Sequence, residues 1–200
     1  VIDALLAAGT MRLWGVLDPH PSPDQTDVLG VPIKGDDGRL AEAARDGVTH
    51  FAVGVGSVGD SRLRRNLNEL GIQHGLIPIT VRHPAAVCAP SAQVGQGCQL
   101  LAGCVINARA VLGGNVIVNT RAVVEHDCRI GDDVHLAPGA VVCGGVRIEA
   151  GAHIGAGATV CQNLLVGARA VVGAGAAVVR DVPAAAVVAG VPARVLKDLS

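Results

Sequence analysis

Glu125, His126 and Asp127 form the most reactive triplet in this 200-residue sequence. An imidazole beside a carboxylate can act as a general base, because the carboxylate orients the Nδ1 proton and raises the basicity of the other ring nitrogen. Such a base typically contributes about 10²- to 10⁴-fold where a nucleophile must lose a proton. Acetyl transfer from a thioester to an amine or hydroxyl is a reaction of that kind. A solvated histidine with a surface ion pair accounts for the same residues, so the surrounding pattern has to decide.

That pattern has a period of six. Val94, Leu100, Ile106, Leu112, Val118, Val124, Ile130, Leu136 and onward to Val178 make fifteen aliphatic positions without a break. Two places before each stands a residue no larger than leucine, among them Cys98, Cys104, Ala110, Ala122 and Cys128. Neither a helix of period 3.6 nor an alternating strand produces this spacing. It predicts a parallel β-helix whose short strands turn a corner every six residues, three hexads to a coil, with the aliphatic residue inside. Gly95, Asn107, Gly113, Gly131 and Gly155 are expected at corners, where they permit a tight backbone. At ~4.8 Å per coil, five coils stack to roughly 24 Å.

A step of eighteen residues moves one coil along the prism. His126 then lies at a corner between Ala108 and Gly144, small neighbours that leave room beside the ring. Asp127 falls near Arg109, and Glu125 near Asn107. His135 and His153 share an outward column between Ile117 and Val171. His126 and His135 lie on different sides of the prism, so one site using both is built between subunits. Outward Val105, Val111, Val123 and Val141 favour subunit packing, since a monomer leaves them wet. Arg129 and Arg147 also stack outward, either splayed into water or spanned by an anion such as a CoA phosphate.

Before the repeat, helices and strands alternate. A helix over Val1–Ala8 stops at Gly9, and a short strand Trp14–Leu17 ends at Asp18. Val31–Lys34 reads as a strand, Leu40–Arg45 as a helix, and His50–Val55 as a buried strand running into Gly54, Gly56, Ser57 and Gly59. A helix Arg62–Leu70 is closed by Gly71. This alternation predicts a small parallel α/β sheet, whose ligands lie at the carboxyl ends of strands. Those ends carry Asp18 and the 54–59 loop. The expected divisions are 1–80 for the α/β domain, 81–181 for the β-helix and 182–200 for a C-terminal tail. The first residues read as mid-helix without an initiator Met, so a further N-terminal piece is expected.

With a net charge of −1 and Trp14 and Phe51 as the aromatic residues, the chain lacks the basic face or stacking platform of a nucleic-acid binder. No apolar run reaches the ~18 to 20 residues of a membrane span, and no secretory signal is visible. Six cysteines without a Cys-x-x-Cys pair, three of them in the small inward slot, read as reduced thiols of a cytoplasmic protein.

The segment Asn119–Asp127 (NTRAVVEHD), the α/β region before it and the closing segment Ala177–Leu196 (AVVRDVPAAAVVAGVPARVL) together resemble a bacterial hexapeptide-repeat sugar acyltransferase family. That family includes sialic acid O-acetyltransferases and UDP-4-amino-sugar N-acetyltransferases. The resemblance implies a Rossmann-like first domain, a left-handed β-helix, a homotrimer, acetyl-CoA as cosubstrate, and a sugar or nucleotide-sugar acceptor in bacterial glycan biosynthesis. It makes His126 the general base, Asp127 the group that enhances its basicity, and Asn119 and Glu125 active-site neighbours. His135, with Ala156 and Ala174 through the backbone and the adjoining Gly155 and Gly173, corresponds to acetyl-CoA contacts. Asp18, Gly56 and Ser57 fall where the family binds the sugar nucleotide. The family's N-terminal Gly-rich loop with its histidine is not in this sequence.

Stacked imidazoles also raise the γ-class carbonic anhydrases, another left-handed β-helix. Their three zinc histidines, two close in sequence, are not matched by spacings of 9 and 18 from His126 and His135, so no metal is expected. A non-sugar acceptor such as an amino acid, or a noncatalytic scaffold, remain the alternatives, and the choice between N- and O-transfer is open.

Overall fold

A computed structural model describes residues 1–198. The hexads close into a three-sided parallel β-helix. Its first face carries Val81–Arg82, Gln99–Leu100, Ile117–Val118, His135–Leu136, His153–Ile154 and Val171–Val172. The second carries Val87–Cys88, Val105–Ile106, Val123–Val124, Val141–Val142, Thr159–Val160 and Ala177–Val178. The third runs from Gln93–Val94 through Val111–Leu112, Arg129–Ile130 and Arg147–Ile148 to Leu165–Val166. Each pair is in register with the one eighteen residues on, as Val105 is with Val123 and Val123 with Val141. The aliphatic and small columns form one buried core from Ala86 to Val188. Backbone ladders join the coils, for example Glu125 N–H to Val142 O at 2.9 Å.

Two kinds of corner residue do different work. The left-handed backbone sits three places after each inward aliphatic from Val94 to Val172, at Gly97, Arg109, Asp127 and Gly145 among others. The glycines one place after it, which the sequence reading credits with the tight turn, lack that conformation. They are small because the next coil is close: a Cβ on Gly155 would lie 2.6 Å from Ala174 N.

The repeat also runs past Pro183, where the sequence reading ends it. Val182 bridges Val166, and Ala186–Ala189 adds a parallel strand to the first face before Arg194–Asp198 pairs back antiparallel. Four residues instead of six separate Val178 from Val182, so the coil continues out of phase and the period hides it.

The N-terminal region contains α1 (Ile2–Ala8), β1 (Val16–Leu17), β2 (Asp27–Val28), β3 (Val31–Gly35), α2 (Leu40–Arg45), β4 (His50–Phe51), α3 (Arg62–Gln73) and β5 (Ile77–Pro78). One parallel sheet was expected, and two small sheets are found. In the first, β1 is parallel to β3, while β2 is antiparallel to it. In the second, β4 pairs in parallel with β5. The antiparallel pair follows from Leu29 and Gly30, whose φ values of 53° and 79° make the two-residue turn suited to a hairpin. The strand expected over His50–Val55 is confined to β4. Nor does α3 end at Gly71; it continues to Gln73, and Gly71 instead admits the Phe51 ring, which a Cβ would meet at 2.5 Å.

This region is docked on the first face of the prism. Arg64, almost fully buried, donates from its guanidinium to the carbonyls of Asn115 and Asp133, and Arg65 pairs with the Asp133 carboxylate at 2.7 Å. Gln99 donates to Val53 O at 2.6 Å. Both terminal nitrogens of this buried guanidinium are engaged, while its Nε is left without a partner; losing either bond would leave a buried charge uncompensated, so these bonds specify where α3 sits.

Candidate active site

His126 occupies the corner between the second and third faces, opposite the docked N-terminal region. Its Nδ1 lies 2.8 Å from Asp127 Oδ2. A carboxylate can only accept, so Nδ1 carries the hydrogen, and in the neutral ring Nε2 keeps its lone pair. The ring is 62% exposed, which leaves it open to a reactant. A Cβ on Gly144, one coil on, would lie 2.8 Å from both Cε1 and Nε2. The space at that position therefore belongs to the imidazole itself.

Asp127 is gripped from the coil before by Arg109, whose Nε and Nη2 donate to Oδ1 and Oδ2 at 2.6 and 2.9 Å. Arg109 first, and His126 second, hold the Asp127 carboxyl far below the usual carboxylate range, so it is ionised throughout the physiological pH range. Glu125 accepts from Asn107 Nδ2 at 2.9 Å. Both column pairings thus follow the eighteen-residue step. The arrangement is one oriented imidazole with a free nitrogen, ready to accept a proton.

Asn119 is not beside His126. It directly follows the strand Ile117–Val118 of the first face, at the corner shared with the second, and its Nδ2 lies 3.2 Å from His135 Nε2. His135 Nδ1 in turn lies 2.6 Å from Ser57 O. A carbonyl only accepts, so Nδ1 bears the proton and Nε2 accepts from Asn119. His135 and His153 stack edge to face, with ring centroids 5.0 Å apart. The column points outward, as expected, yet it is buried, because the N-terminal loop covers it. Burial depresses both imidazoles, His153 to about 4.

Ala156 and Ala174 are exposed on the corner that carries Asn119, while Gly155 and Gly173 face the next coil. Of the residues matched to the sugar nucleotide, Asp18 lines a cavity of about 860 Å³ between β1 and β4, together with Trp14, Lys34, Phe51 and Gly54. Gly56 is exposed in the following loop, whereas Ser57 is buried against His135. The structure therefore separates the candidate residues into three groups: the His126 corner, the Asn119–His135 corner and the N-terminal cavity.

Sequence reasoning passed over Arg64, Arg65 and the N-terminal cover on His135. The one available signal was the pair of polar residues Asn115 and Asp133, eighteen apart, joined at 2.7 Å under α3. Among the described residues, no cluster of three or more His, Cys, Asp or Glu is arranged to hold a metal ion. Among the described residues, no helix is long and apolar enough to cross a membrane.

Residues 109–144 match the family described as "Bacterial transferase hexapeptide (six repeats)". GDP-perosamine N-acetyltransferase of Escherichia coli is 37% identical over 84 residues. That match covers 42% of this chain and 38% of the relative, so the chain spans well under half of that protein's length. PerB of Caulobacter crescentus, solved with CoA and GDP-perosamine, is 38% identical with a TM-score of 0.90, over 98% of this chain and 90% of PerB. The acetyltransferase domain of PglB from Neisseria gonorrhoeae is 37% identical with a TM-score of 0.88, over 97% of this chain and 92% of that domain. That domain has also been solved with acetyl coenzyme A. Coverage and identity of this extent place the chain, plainly, in the bacterial hexapeptide-repeat acetyltransferase family that includes the perosamine N-acetyltransferases.

Proposed function

We propose that this protein is an acetyl-CoA-dependent N-acetyltransferase acting on the amino group of a nucleotide-linked amino sugar, with His126 as general base. The observation that carries the reading is the His126–Asp127 pair, with Nδ1 tied at 2.8 Å and the ring otherwise open. The amine attacks the thioester carbonyl carbon while Nε2 takes its proton. When the tetrahedral adduct collapses, the C–S bond breaks and the imidazolium returns a proton to the departing thiolate. Asp127 keeps the ring in the required tautomer throughout. PerB binds GDP-perosamine, and that kind of acceptor, an amino sugar on a nucleoside diphosphate, is the one we assign. Asp18 and Gly56, at the rim of the N-terminal cavity and in its adjoining loop, are its assigned contacts.

A left-handed coil and a homotrimer complete this reading. Val105, Val123 and Val141 form a half-buried outward stripe on the second face, and Val87 extends it into solvent. The two edges of that face are the Asn119 corner and the His126 corner. A neighbouring subunit covering the valines sets its His126 near the Asn119, Ala156 and Ala174 of this one, which supports CoA binding between subunits. Six free cysteines are in keeping with a cytoplasmic enzyme.

The test is CoA release from acetyl-CoA with GDP-perosamine, UDP-4-amino-4,6-dideoxy sugars and sialic acid in parallel arms. We expect turnover with a 4-amino sugar nucleotide and a loss of ~10² or more in His126→Ala. Mixed oligomers of inactive His126→Ala and Asn119→Ala chains are expected to regain activity if the two residues meet across subunits. Turnover indifferent to His126, or none with any acceptor, overturns the mechanism and favours a scaffold.

A further inference from the structure

Acyl transfer as described uses His126 and Asp127 and leaves Arg109 without a role. Arg109 stands at the same corner one coil earlier, and both oxygens of Asp127 are bound to it, at 2.6 and 2.9 Å. The oxygen nearer His126, Oδ2, is shared between the guanidinium and the imidazole. Arg109 and Asp127 both hold left-handed backbone, with φ of 60° and 61°. The same turn position is glycine at 97, 103, 139, 145, 151, 157 and 175 and a polar or charged residue at 115, 121, 133, 163 and 169, so the backbone alone does not distinguish Arg109; its pairing with Asp127 does. The Arg109 N–H is anchored in turn by Ser91 Oγ at 3.2 Å, in the coil below.

We propose that Arg109 is a positioning residue for the acyl transfer: its fork fixes the plane of the Asp127 carboxylate toward His126, and its charge tempers the basicity that the carboxylate confers. The inference rests on the assignment of His126 as base. A lone carboxylate swivels and hydrates; one held by a planar, bidentate guanidinium does not. A carboxylate neutralised on its far side also stabilises an imidazolium less than a bare one. The imidazolium formed on attack therefore surrenders its proton more readily to the leaving thiolate.

Few other charges bear on the pair. Glu125 and Arg129 flank it in the same coil, with Glu125 engaged by Asn107. In the coil after, Gly144 and Gly145 bring no charge, and Cys143 brings a thiol that burial pushes up.

Arg109→Gln, Arg109→Lys and wild type are compared by pH profiles of kcat/KM and kcat, and by NMR titration of the histidine ring nitrogens in the intact protein without substrate. Removing the positive charge leaves Asp127 facing His126 alone. In Arg109→Gln the acid limb, and the titration, are expected to move to higher pH, a movement that solvent screening keeps small for an exposed pair. The plateau in kcat falls roughly three- to tenfold through loosened geometry. Arg109→Lys keeps the charge but loses the fork, so its limb stays in place while its plateau falls. An unmoved limb and titration in Arg109→Gln overturn the proposal, whatever the loss of activity. Thermal melting checks that each variant is folded. Should every acceptor fail, the base assignment falls, while the titration still decides whether Arg109 acts on the ring.

Discussion

His126 can accept a proton because three neighbours constrain it in different ways. Asp127 fixes the tautomer, Arg109 fixes Asp127, and Gly144 clears the ring. The sequence places small residues above and below His126, with room beside the ring. The geometry assigns the Gly144 side of it to the imidazole, since a Cβ there would stand 2.8 Å from Nε2. Gly144 has no left-handed backbone, and the nearest atoms an alanine would meet are those of the ring. We expect Gly144→Ala to tilt His126 off Asp127 and to lower kcat by roughly 10-fold or more, since small misplacements of reacting groups are expensive. Steady-state kinetics measure this, with KM for acetyl-CoA expected to stay within about twofold. A kcat unchanged from wild type shows that the ring tolerates the methyl group and that Gly144 is small for another reason.

Among the elements, α3 shows how packing overrides local propensity. Gly71 reads as a helix stop, yet the helix runs through it. Alanine there gains about 1 kcal/mol of helix propensity. It also places a methyl 2.5 Å from the Phe51 ring, and overpacking of that kind costs about 1–3 kcal/mol. Clash is therefore expected to win, with Gly71→Ala lowering the melting temperature by a few degrees, at about 2–4 °C per kcal/mol for a chain of this size. In a Phe51→Leu background the same substitution is expected to become neutral or stabilising. Calorimetry of the four variants separates the two terms; the same loss in both backgrounds rules out the ring as the cause. The β-helix was readable because each inward column is a one-dimensional pattern. The α3 packing was not, because Phe51 and Gly71 meet only after β4 and α3 are stacked.

The docking of the N-terminal region makes the whole molecule sensitive to acid. His153 is buried between His135 and Val171, with its Nδ1 unpartnered. Burial first, and the neighbouring His135 second, depress it from 6.5 to about 4. His135 is depressed as well, by burial and by Arg64, against the opposing bond to Ser57. The unfolded chain therefore binds more protons than the folded one between pH about 6.5 and about 4. Stability from these neutral rings is full above pH 6.5 and declines as pH falls toward 4. Urea midpoints measured from pH 7.5 to 4.5 are expected to drop across that window, and less steeply in His153→Gln. Equal slopes in the two proteins mean that other groups set the acid response.

Most of the prism and the His126 corner could be read from residue order alone, because a period of six and a step of eighteen convert spacing into position by arithmetic. Val124, Ile130, Asp127 over Arg109 and Glu125 over Asn107 all follow from it. The arithmetic stops where phase slips, at Val178–Val182, and where contact is not periodic. That Arg64 is buried and that Ser57 caps His135 depended on docking the N-terminal region against the first face. Those contacts join residues dozens of positions apart through shape and hydrogen-bond satisfaction, which leave no repeat in the sequence.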